Sequence, residues 1–587
     1  MELVGTIRKA GTFLRANGLR KTVNRLFLRF GRKKAEKRML ARTRVSEEEL
    51  RRQREQVFDE PLKFSIAVPL YNTPVDVLRE MIQSVQEQSY RDWELCLADG
   101  SDEAHDQVGA ICREMAAGDD RILYRKLERN DGISGNSNAA AKMGTGNYLA
   151  LLDHDDLLAP NALFEMRSAI ARTKADFVYS DELTFQSPRR DRVEVVRLKP
   201  GFAPDTLLTN NYICHFTVFS RELWNRAGGF RSEYDGSQDH DLFLRLTEKA
   251  KGIAHVAKVL YLWRSIPGSV AEDIQHKEYA ISAGRRAVRD FLREARGIEA
   301  DVQSTEVFPT MYHVVYPILG KPMIRIVLDG RKETGDPKKK LLELQRRTGW
   351  DECRWTMITR ADSPEETEDL KGADTLQAKD GESRRDIWTR AAEAGDEEYL
   401  LFLDGIPEVM TDGWLREMLG EAQQGHVGAV GAKLYSELGN VRHAGVTIGM
   451  GPGGIAGRPY CLWNPANDGY FGQISVMQNM AAVTDCLLIA REKWKAAGGF
   501  SEAYQDALFD VDLCLRLLEK GYYNVFDPHA RLKMGLEKDT WFDVGREYGT
   551  YAWDAKIFRE RNESMLKSGD PFFNPNLSLK HEDWRYR

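Results

Sequence analysis

Two stretches of this chain recur in the same order. NYLALLDHDDLLAPNAL, around Asp153, returns as EYLLFLDGIPEVMTDGWL around Asp404, and LWNRAGGFRSEYDGSQDHDLFLRL, around Gly229, returns as KWKAAGGFSEAYQDALFDVDLCLRL around Gly499. Two independent echoes in one order are the mark of a duplicated unit. The chain is therefore expected to fold as one architecture built twice, and whatever the first echo carries can be compared with what survives in the second.

The unit itself reads as α/β. FSIAVPLYN is a short apolar run closed by Pro69 and turn residues, a buried strand running into a loop. VDVLREMIQSVQEQ follows with helical spacing, then the strand DWELCLADGSD, a helix through Cys112 and Met115, the strand ILYRKLERN, a helical stretch through SNAAAKM, and NYLALLDHDD. Alternation of this kind implies a parallel sheet with helices on both faces, with ligands at the carboxyl ends of the strands. Asp99, Asp102, Asp153, Asp155 and Asp156 all fall at that edge. We place a basic helical segment at 1–60, a first domain at 61–300, a connector at 301–322 and a second domain at 323–587, opening with MIRIVLDG. No flexible linker separates them, so the domains are expected to pack together.

With 42% hydrophobic and 30% charged residues in 587, the chain can bury a large core. No run of eighteen apolar residues is present, which removes a membrane-spanning helix. The seven cysteines lack a CxxC pair and most sit in apolar stretches; they read as buried thiols of a reducing cytosol, not disulfides or a zinc site. The net charge of −6 hides an asymmetry: up to Arg44, fourteen Lys and Arg face two acids, leaving −18 on the rest. Phe13, Leu14, Leu19, Val23, Leu26, Phe27, Leu28 and Phe30 alternate there with Arg15, Arg20, Lys21, Arg25 and Arg29. That pattern suits an anionic membrane surface, though Gly11 and Gly18 weaken it and a basic helix packed on its own acidic body is the competing reading. The stretch is no signal peptide, because charges break its apolar runs.

Asp153-His154-Asp155-Asp156 follows an apolar strand, which crowds three carboxylates at one sheet edge. Like charges so close call for a counter-ion, and hard oxygen ligands suit magnesium or manganese bridging to a diphosphate. A helix-capping role explains Asp155 or Asp156 alone but not the set. Asp99 ends the second strand, as a turn residue or as an acceptor for a base or ribose. Asp239 and Asp241 begin an amphipathic helix; they are dipole partners, or one is a general base taking a proton from an acceptor hydroxyl. Trp263 and Arg264 serve the phosphates or acceptor, or are a strand-end pair.

VPLYNTP, LADGSD, NDGISGNSNAA, LALLDHDDLLAPNAL, YSDE, NYICH, GGF with GSQDHDLFLRL, and LYLWR resemble, in order and spacing, bacterial family 2 glycosyltransferases of the GT-A fold, over about Lys63 to Ser269. The resemblance implies an inverting transferase that uses a nucleotide-diphosphate sugar and a divalent cation. By position, Asp99 matches the acid at the nucleotide base, with Pro69 and Tyr71 beside it; Asp153 and Asp155 match the first and last acids of the DxD motif serving ribose and metal; Asp239 matches the general base. One departure is Ile266, where relatives often carry a histidine after the Trp-Arg pair.

The second half, from about Met323, also resembles such a domain, with poorer equipment. ITRADS stands where relatives show Asp-Asn-Gly-Ser, Asp404-Gly405-Ile406 stands where they show Asn-Asn-Asp, and LKMGLEK around Met534 replaces a His-rich motif. Asp510, Asp512 and His443 are retained. It reads as a degenerate transferase domain that serves packing, acceptor binding or assembly. The leading expectation is thus a cytoplasmic, peripheral-membrane enzyme of two tandem GT-A-like domains, extending an O-antigen or wall glycan on a polyprenyl-linked acceptor. Two active halves, or a non-catalytic glycan-binding scaffold, are the alternatives. There is no phosphate-loop motif, no GxGxxG after the first strand and no GxSxG elbow, and an acidic body disfavours nucleic acid.

Overall fold

The computed structural model describes residues 41, 44–187, 189–265, 278–305, 308–333, 336–361, 372–464, 466–535 and 551–587. The basic amphipathic stretch, Ile266 and the last three residues of LKMGLEK, 536–538, lie outside the described residues.

The first sheet takes its strands from Phe64–Leu70 (β1), Trp93–Asp99 (β2), Ile122–Lys126 (β3), Tyr148–Leu151 (β4), Leu157–Leu158 (β5), Phe177–Gln186 (β6), Arg189–Arg197 (β7), Thr217–Ser220 (β8) and Ile253–Ser265 (β9). Its order is β3-β2-β1-β4-β8-β6-β9-β5, with β7 beside β6. After a small hairpin of Asp301–Ser304 (β10) and Tyr312–Val315 (β11), a second sheet is built from Ile324–Asp329 (β12), Cys353–Thr359 (β13), Ala373–Gln377 (β14), Tyr399–Leu403 (β15), Glu408–Val409 (β16) and Val427–Tyr435 (β17). Val441–His443 (β18) joins β17; Thr447–Ile448 (β19) and Ala456–Gly457 (β20) pair apart; Gln478–Met480 (β21), Cys486–Ala490 (β22) and Tyr523–Lys533 (β23) complete it. The second order, β14-β13-β12-β15-β22-β17-β23-β16, repeats the first strand for strand. The echoes in the sequence are therefore echoes of topology.

The sheets are mixed where alternation predicts parallel ones. β1 runs parallel to β2 and β4, but β8 lies antiparallel to both β4 and β6. The physical reason is the connection. β6 and β8 are joined through β7, the short helix Pro204–Thr209 and a loop, with no full crossover helix between them, so β8 enters the sheet from the opposite end.

Helices cover both faces. The first half has Glu47–Glu55 (α1), Val75–Gln86 (α2), Gln107–Gly118 (α3), Gly132–Met143 (α4), Ala162–Thr173 (α5), Pro204–Thr209 (α6), Arg221–Ala227 (α7), Gln238–Lys249 (α8) and Glu278–Arg296 (α9). β1 and β2 are buried along their whole lengths because α2 and α3 cover one face while α4 covers the other. One apolar cluster joins Leu157, Leu183, Phe185, Val196 and Val259 of the first half to Ile448, Tyr460, Trp584 and Tyr586 of the second. The halves share a core as well as a boundary.

The recurring GGF and DxxxR elements explain themselves in packing. Asp241 in α8 is fully buried and accepts from Arg231 and from Arg245, one helical turn on, while Arg245 also donates to the carbonyls of Ala227 (2.6 Å) and Gly229 (2.7 Å). In the second half Asp512 holds Arg516 at 2.8 Å, and Arg516 reaches the carbonyls of Ala497 and Gly499. A buried aspartate thus aims an arginine that pins the double-glycine turn to the helix. Asp241 is structural, and the conserved shape of this echo is a staple, not a second catalytic acid.

Candidate active site at the carboxyl edge of the first sheet

The loops following β1, β2 and β4 meet at the sheet edge. Asn72, held at φ +51, donates to Asp102 (2.9 Å) and receives the Asp102 backbone N–H (3.1 Å), while its own N–H reaches Ser101 Oγ (2.9 Å). Thr73 Oγ1 and His154 Nδ1 share a hydrogen bond of 3.0 Å. Pro69 is buried near the end of β1 and Tyr71 is exposed just beyond it. Asp99, 1% exposed, receives Tyr124 Oη (2.9 Å) and Lys126 Nζ (3.3 Å) on one oxygen and the Ser101 N–H (2.9 Å) on the other. Its orientation is set by the protein before any ligand arrives.

The three carboxylates after β4 divide by role. Asp156 is fully buried and accepts from Tyr261 Oη (2.6 Å) and the Arg264 N–H (2.6 Å), which ties the loop to β9. Burial, then the neighbouring Asp155 and Asp153, push its carboxyl well above the ordinary range. Burial also raises Asp155, whose side chain stands partly open at the same edge. Asp153 behaves differently: half of its side chain is exposed, and its Oδ2 lies 3.5 Å from His215 Nε2. Burial alone would raise it, but hydrogen bonding and charge from His215 hold it below the usual value.

His215 is the residue that the sequence reading quoted, within NYICH, without assigning it a role. Its ring stacks on Tyr261 (4.6 Å, 12°), and its Nδ1 lies 3.5 Å from Glu182 Oε2, the acceptor of its own N–H at 3.1 Å. Burial opposes protonation, but Cys214, Asp153 and Glu182 outweigh it and raise the imidazole well above its usual pKa. Glu182 stays ionised despite full burial because Lys199 Nζ (3.0 Å) and Arg197 (2.9 Å) grip it. No spacing rule joins residues 153, 182, 199 and 215; only the side-by-side placing of β4, β8 and β6, with β7 beside β6, does so.

Asp239 sits in the first turn of α8, partly exposed, with Oδ2 accepting from Asn211 Nδ2 at 2.8 Å. Asn211 and His215 belong to one loop, braced by the Cys214 N–H on Asn211 Oδ1 (3.4 Å). That loop ties Asp239 at one end to Asp153 at the other. Arg264, expected at the phosphates, is turned inward: 2% exposed, it donates to the Asp155 carbonyl (2.6 Å), Glu80 (2.8 Å) and Ser187 (3.4 Å) above the Phe185 ring. A guanidinium so engaged supports the acidic loop from behind and has little left to offer a ligand.

A divalent ion fits the donor set. Ligand atoms of Asp153, Asp156 and His215 lie within 4.8 Å of one another, and hard oxygens with one imidazole suit manganese or magnesium. With Asp156 committed to Tyr261 and Arg264, Asp153 and His215 are the members facing the open side, with Asp155 adjacent.

The matching edge of the second sheet is filled by arginine. Asp404 meets Arg384 at 3.0 Å and Arg442 at 3.7 Å; Asp485 meets Arg442 at 2.9 Å and Arg458 at 2.6 Å. Strand register places Asp485 where the first half has His215, since Tyr399↔Ala490 matches Tyr148↔Ser220. Burial would raise Asp485, but the two arginines hold it far below the usual range. His443 is fully buried between the Ala432 carbonyl and the Thr484 N–H, its pKa lowered to about 3 by burial and nearby arginine, so it is a packing residue.

A twisted mixed sheet with an acidic edge after its fourth strand and an ordered acid after its second is a GT-A-like fold, the architecture of nucleotide-diphospho-sugar transferases. Residues 65–226 match the model of glycosyl transferase family 2, and the chain carries a domain of that family. It is 35% identical over 536 residues to protein y4gI of Sinorhizobium fredii, described as uncharacterized, covering 89% of this chain and 58% of that one. It is 31% identical over 537 residues to the O-antigen biosynthesis protein RfbC of Myxococcus xanthus, covering 88% of this chain and 40% of that one. The chain thus spans about half the length of the curated relatives it matches. Among solved structures, S. aureus TarS 1-349 in complex with UDP-GlcNAc aligns at 19% identity and a TM-score of 0.33, covering 40% of this chain and 67% of that one.

Proposed function

We propose that the chain is an inverting glycosyltransferase that moves a sugar from a nucleotide-diphosphate donor to a hydroxyl of a cell-surface glycan. The observation that carries this reading is the loop from Asn211 to His215, which sets a partly exposed aspartate, Asp239, in fixed relation to the acidic edge at Asp153. Asp99, Pro69 and Tyr71 hold the base. Asp153, with Asp155 and His215, holds a magnesium or manganese ion, which when bound offsets charge on the diphosphate leaving group. Asn211 orients Asp239 so that its free lone pairs face the acceptor. The acceptor oxygen bonds to the anomeric carbon as the bond to the diphosphate breaks, the hydroxyl proton passes to Asp239, and the nucleoside diphosphate leaves.

The similarity to an O-antigen biosynthesis protein favours a polysaccharide acceptor, polyprenyl-linked in our reading. The basic segment 1–44 would hold the enzyme peripherally on the inner face of the membrane; among the described residues no helix is long and apolar enough to cross one. The second half does not transfer sugar, because guanidinium groups stand around Asp404 where a cation would be needed. The test is nucleoside-diphosphate release from UDP-, dTDP- and GDP-sugars with manganese or magnesium. Wild type is expected to hydrolyse one donor slowly. Asp153→Ala and Asp155→Ala should abolish this, and Asp239→Asn should lower transfer about 100- to 10,000-fold while keeping donor binding. Full activity in Asp239→Asn would overturn the assignment of the base.

A further inference from the structure

The last described segment of the chain returns from the second half across the first. Pro571 O accepts from the Gly201 N–H (3.0 Å), Asn576 Nδ2 donates to the Ala257 carbonyl (2.9 Å) and Tyr586 Oη to the Val196 carbonyl (2.8 Å). Within this strap Asn574, 1% exposed, makes the deepest contact. Its Nδ2 donates to both oxygens of Asp181 (3.0 Å each) and to the Lys199 carbonyl (2.8 Å), which uses both amide hydrogens.

Those two partners stand directly behind the site. Asp181 is fully buried; its Oδ1 also accepts from the Lys199 N–H (2.8 Å) and His255 Nε2 (2.9 Å), whereas Oδ2 is served by Asn574. Lys199, locked by its backbone on either side, sends Nζ to Glu182 Oε2 (3.0 Å), the Ile213 carbonyl (2.5 Å) and the His215 carbonyl. Lys199 is thus the peg on which the Ile213–His215 loop hangs, and Glu182 and His215 lead on to Asp153.

We infer that Asn574 is a positioning residue for the first half's site: the second half completes that site by fixing the Asp181–Lys199 pair, and through it His215, from a distant part of the chain. The inference rests on the function proposed above for that site. It gives the second half a task that needs no active centre of its own. A carboxylate buried behind the site with one oxygen stripped of its donor would draw Lys199 out of register, and outer-shell contacts of this kind govern ligand geometry.

The experiment uses the full chain with ¹³C-labelled histidine, and compares Asn574→Ala, Asn574→Gln and the control Asn576→Ala, which severs the same strap at the Ala257 carbonyl. The His215 ring signal, assigned by its loss in His215→Asn, is expected to move in Asn574→Ala, to return toward its wild-type position in Asn574→Gln, and to stay in place in Asn576→Ala. In parallel, the manganese concentration for half-maximal donor hydrolysis is expected to rise about 10- to 100-fold in Asn574→Ala only. An unmoved His215 signal in Asn574→Ala, or an equal displacement in Asn576→Ala, overturns the inference. Should Asn574→Ala not fold, Asn574→Ser, which also removes the amide donor to Asp181 and the Lys199 carbonyl, takes its place, with the same displacement of the His215 signal expected and an unmoved signal overturning the inference. If wild type hydrolyses no donor, the proposed function fails, and the histidine signal still decides the role of Asn574.

Discussion

Replacing Asn479 with alanine tests how the halves are held together. The helix α6 begins at Pro204 with no side-chain cap of its own from Ala203. Its first free donors, the N–H groups of Asp205 and Thr206, are capped instead from the second half, by Asn479 Oδ1 at 2.9 and 3.2 Å. Asn479 Nδ2 also donates to Asp205 Oδ2 (2.7 Å), whose other oxygen takes His426 Nε2 (2.8 Å). Asp205 is 1% and Asn479 2% exposed, so water does not substitute readily. Loss of the cap costs about 1 kcal/mol, and a buried carboxylate deprived of a donor costs about 2 to 3 kcal/mol more, so the variant should lose about 3 to 4 kcal/mol. At about 2.1 cal/mol/K per residue, a chain of this size melting as one unit would lose about 3 °C. If the first half opens separately, the fall is about 6 to 8 °C for a unit of about 240 residues. Urea titration followed by tryptophan fluorescence, beside a thermal melt, reads both quantities. A loss below about 1 kcal/mol would refute the reasoning, because the capped groups would then be satisfied without Asn479.

Further outcomes follow from other buried charges. Asp527 has one oxygen without a hydrogen-bond partner, and burial, then Glu417, raise its pKa from 3.8 to about 7. The folded chain therefore takes up a proton between about pH 4 and 7, so this group's contribution to stability declines as pH rises through that window, by up to about 4 kcal/mol. Asp527→Asn should flatten the decline, measured by urea midpoints at pH 5 and 8; an unchanged slope would reject it. Asp404→Asn, by contrast, leaves Arg384 and Arg442 without their shared carboxylate and should destabilise by about 3 to 5 kcal/mol without altering donor turnover, whereas a loss of turnover on well-folded protein would show an active second centre. Arg264→Ala frees the Asp155 carbonyl and should raise the manganese concentration for half-maximal donor hydrolysis about 10- to 100-fold; an unchanged manganese requirement would show that Tyr261 and the residue-264 N–H secure the loop through Asp156 without the guanidinium.

Much of this was legible along the chain. An apolar run closed by turn residues marked β1 and apolar runs ending in acids marked β2 and β4, and the second echo anticipated a second unit of the same architecture, because strand periodicity and loop chemistry are local properties. Asp153 and Asp239 were visible for the same reason: each sits at a recognisable strand or helix end. The inversion of β8 was not legible, since a missing crossover helix does not announce the direction in which the next strand enters. Asp241 looked as functional as Asp239 until packing showed it clamping Arg245, and Arg264 looked like a phosphate ligand until β9 turned it inward.

His215, Glu182, Lys199 and Asn574 belong to another category. Each is unremarkable in its own neighbourhood, and they acquire a role only because three strands and a returning tail bring residues from four parts of the chain within hydrogen-bond distance. Sequence by itself determined the duplicated α/β architecture and the acids at its edge, since both are written in spacing that a strand or helix must obey. Tertiary structure decided which acids remain open, which are spent on arginine, and how the second half reaches the first, because burial and charge pairing depend on neighbours distant along the chain.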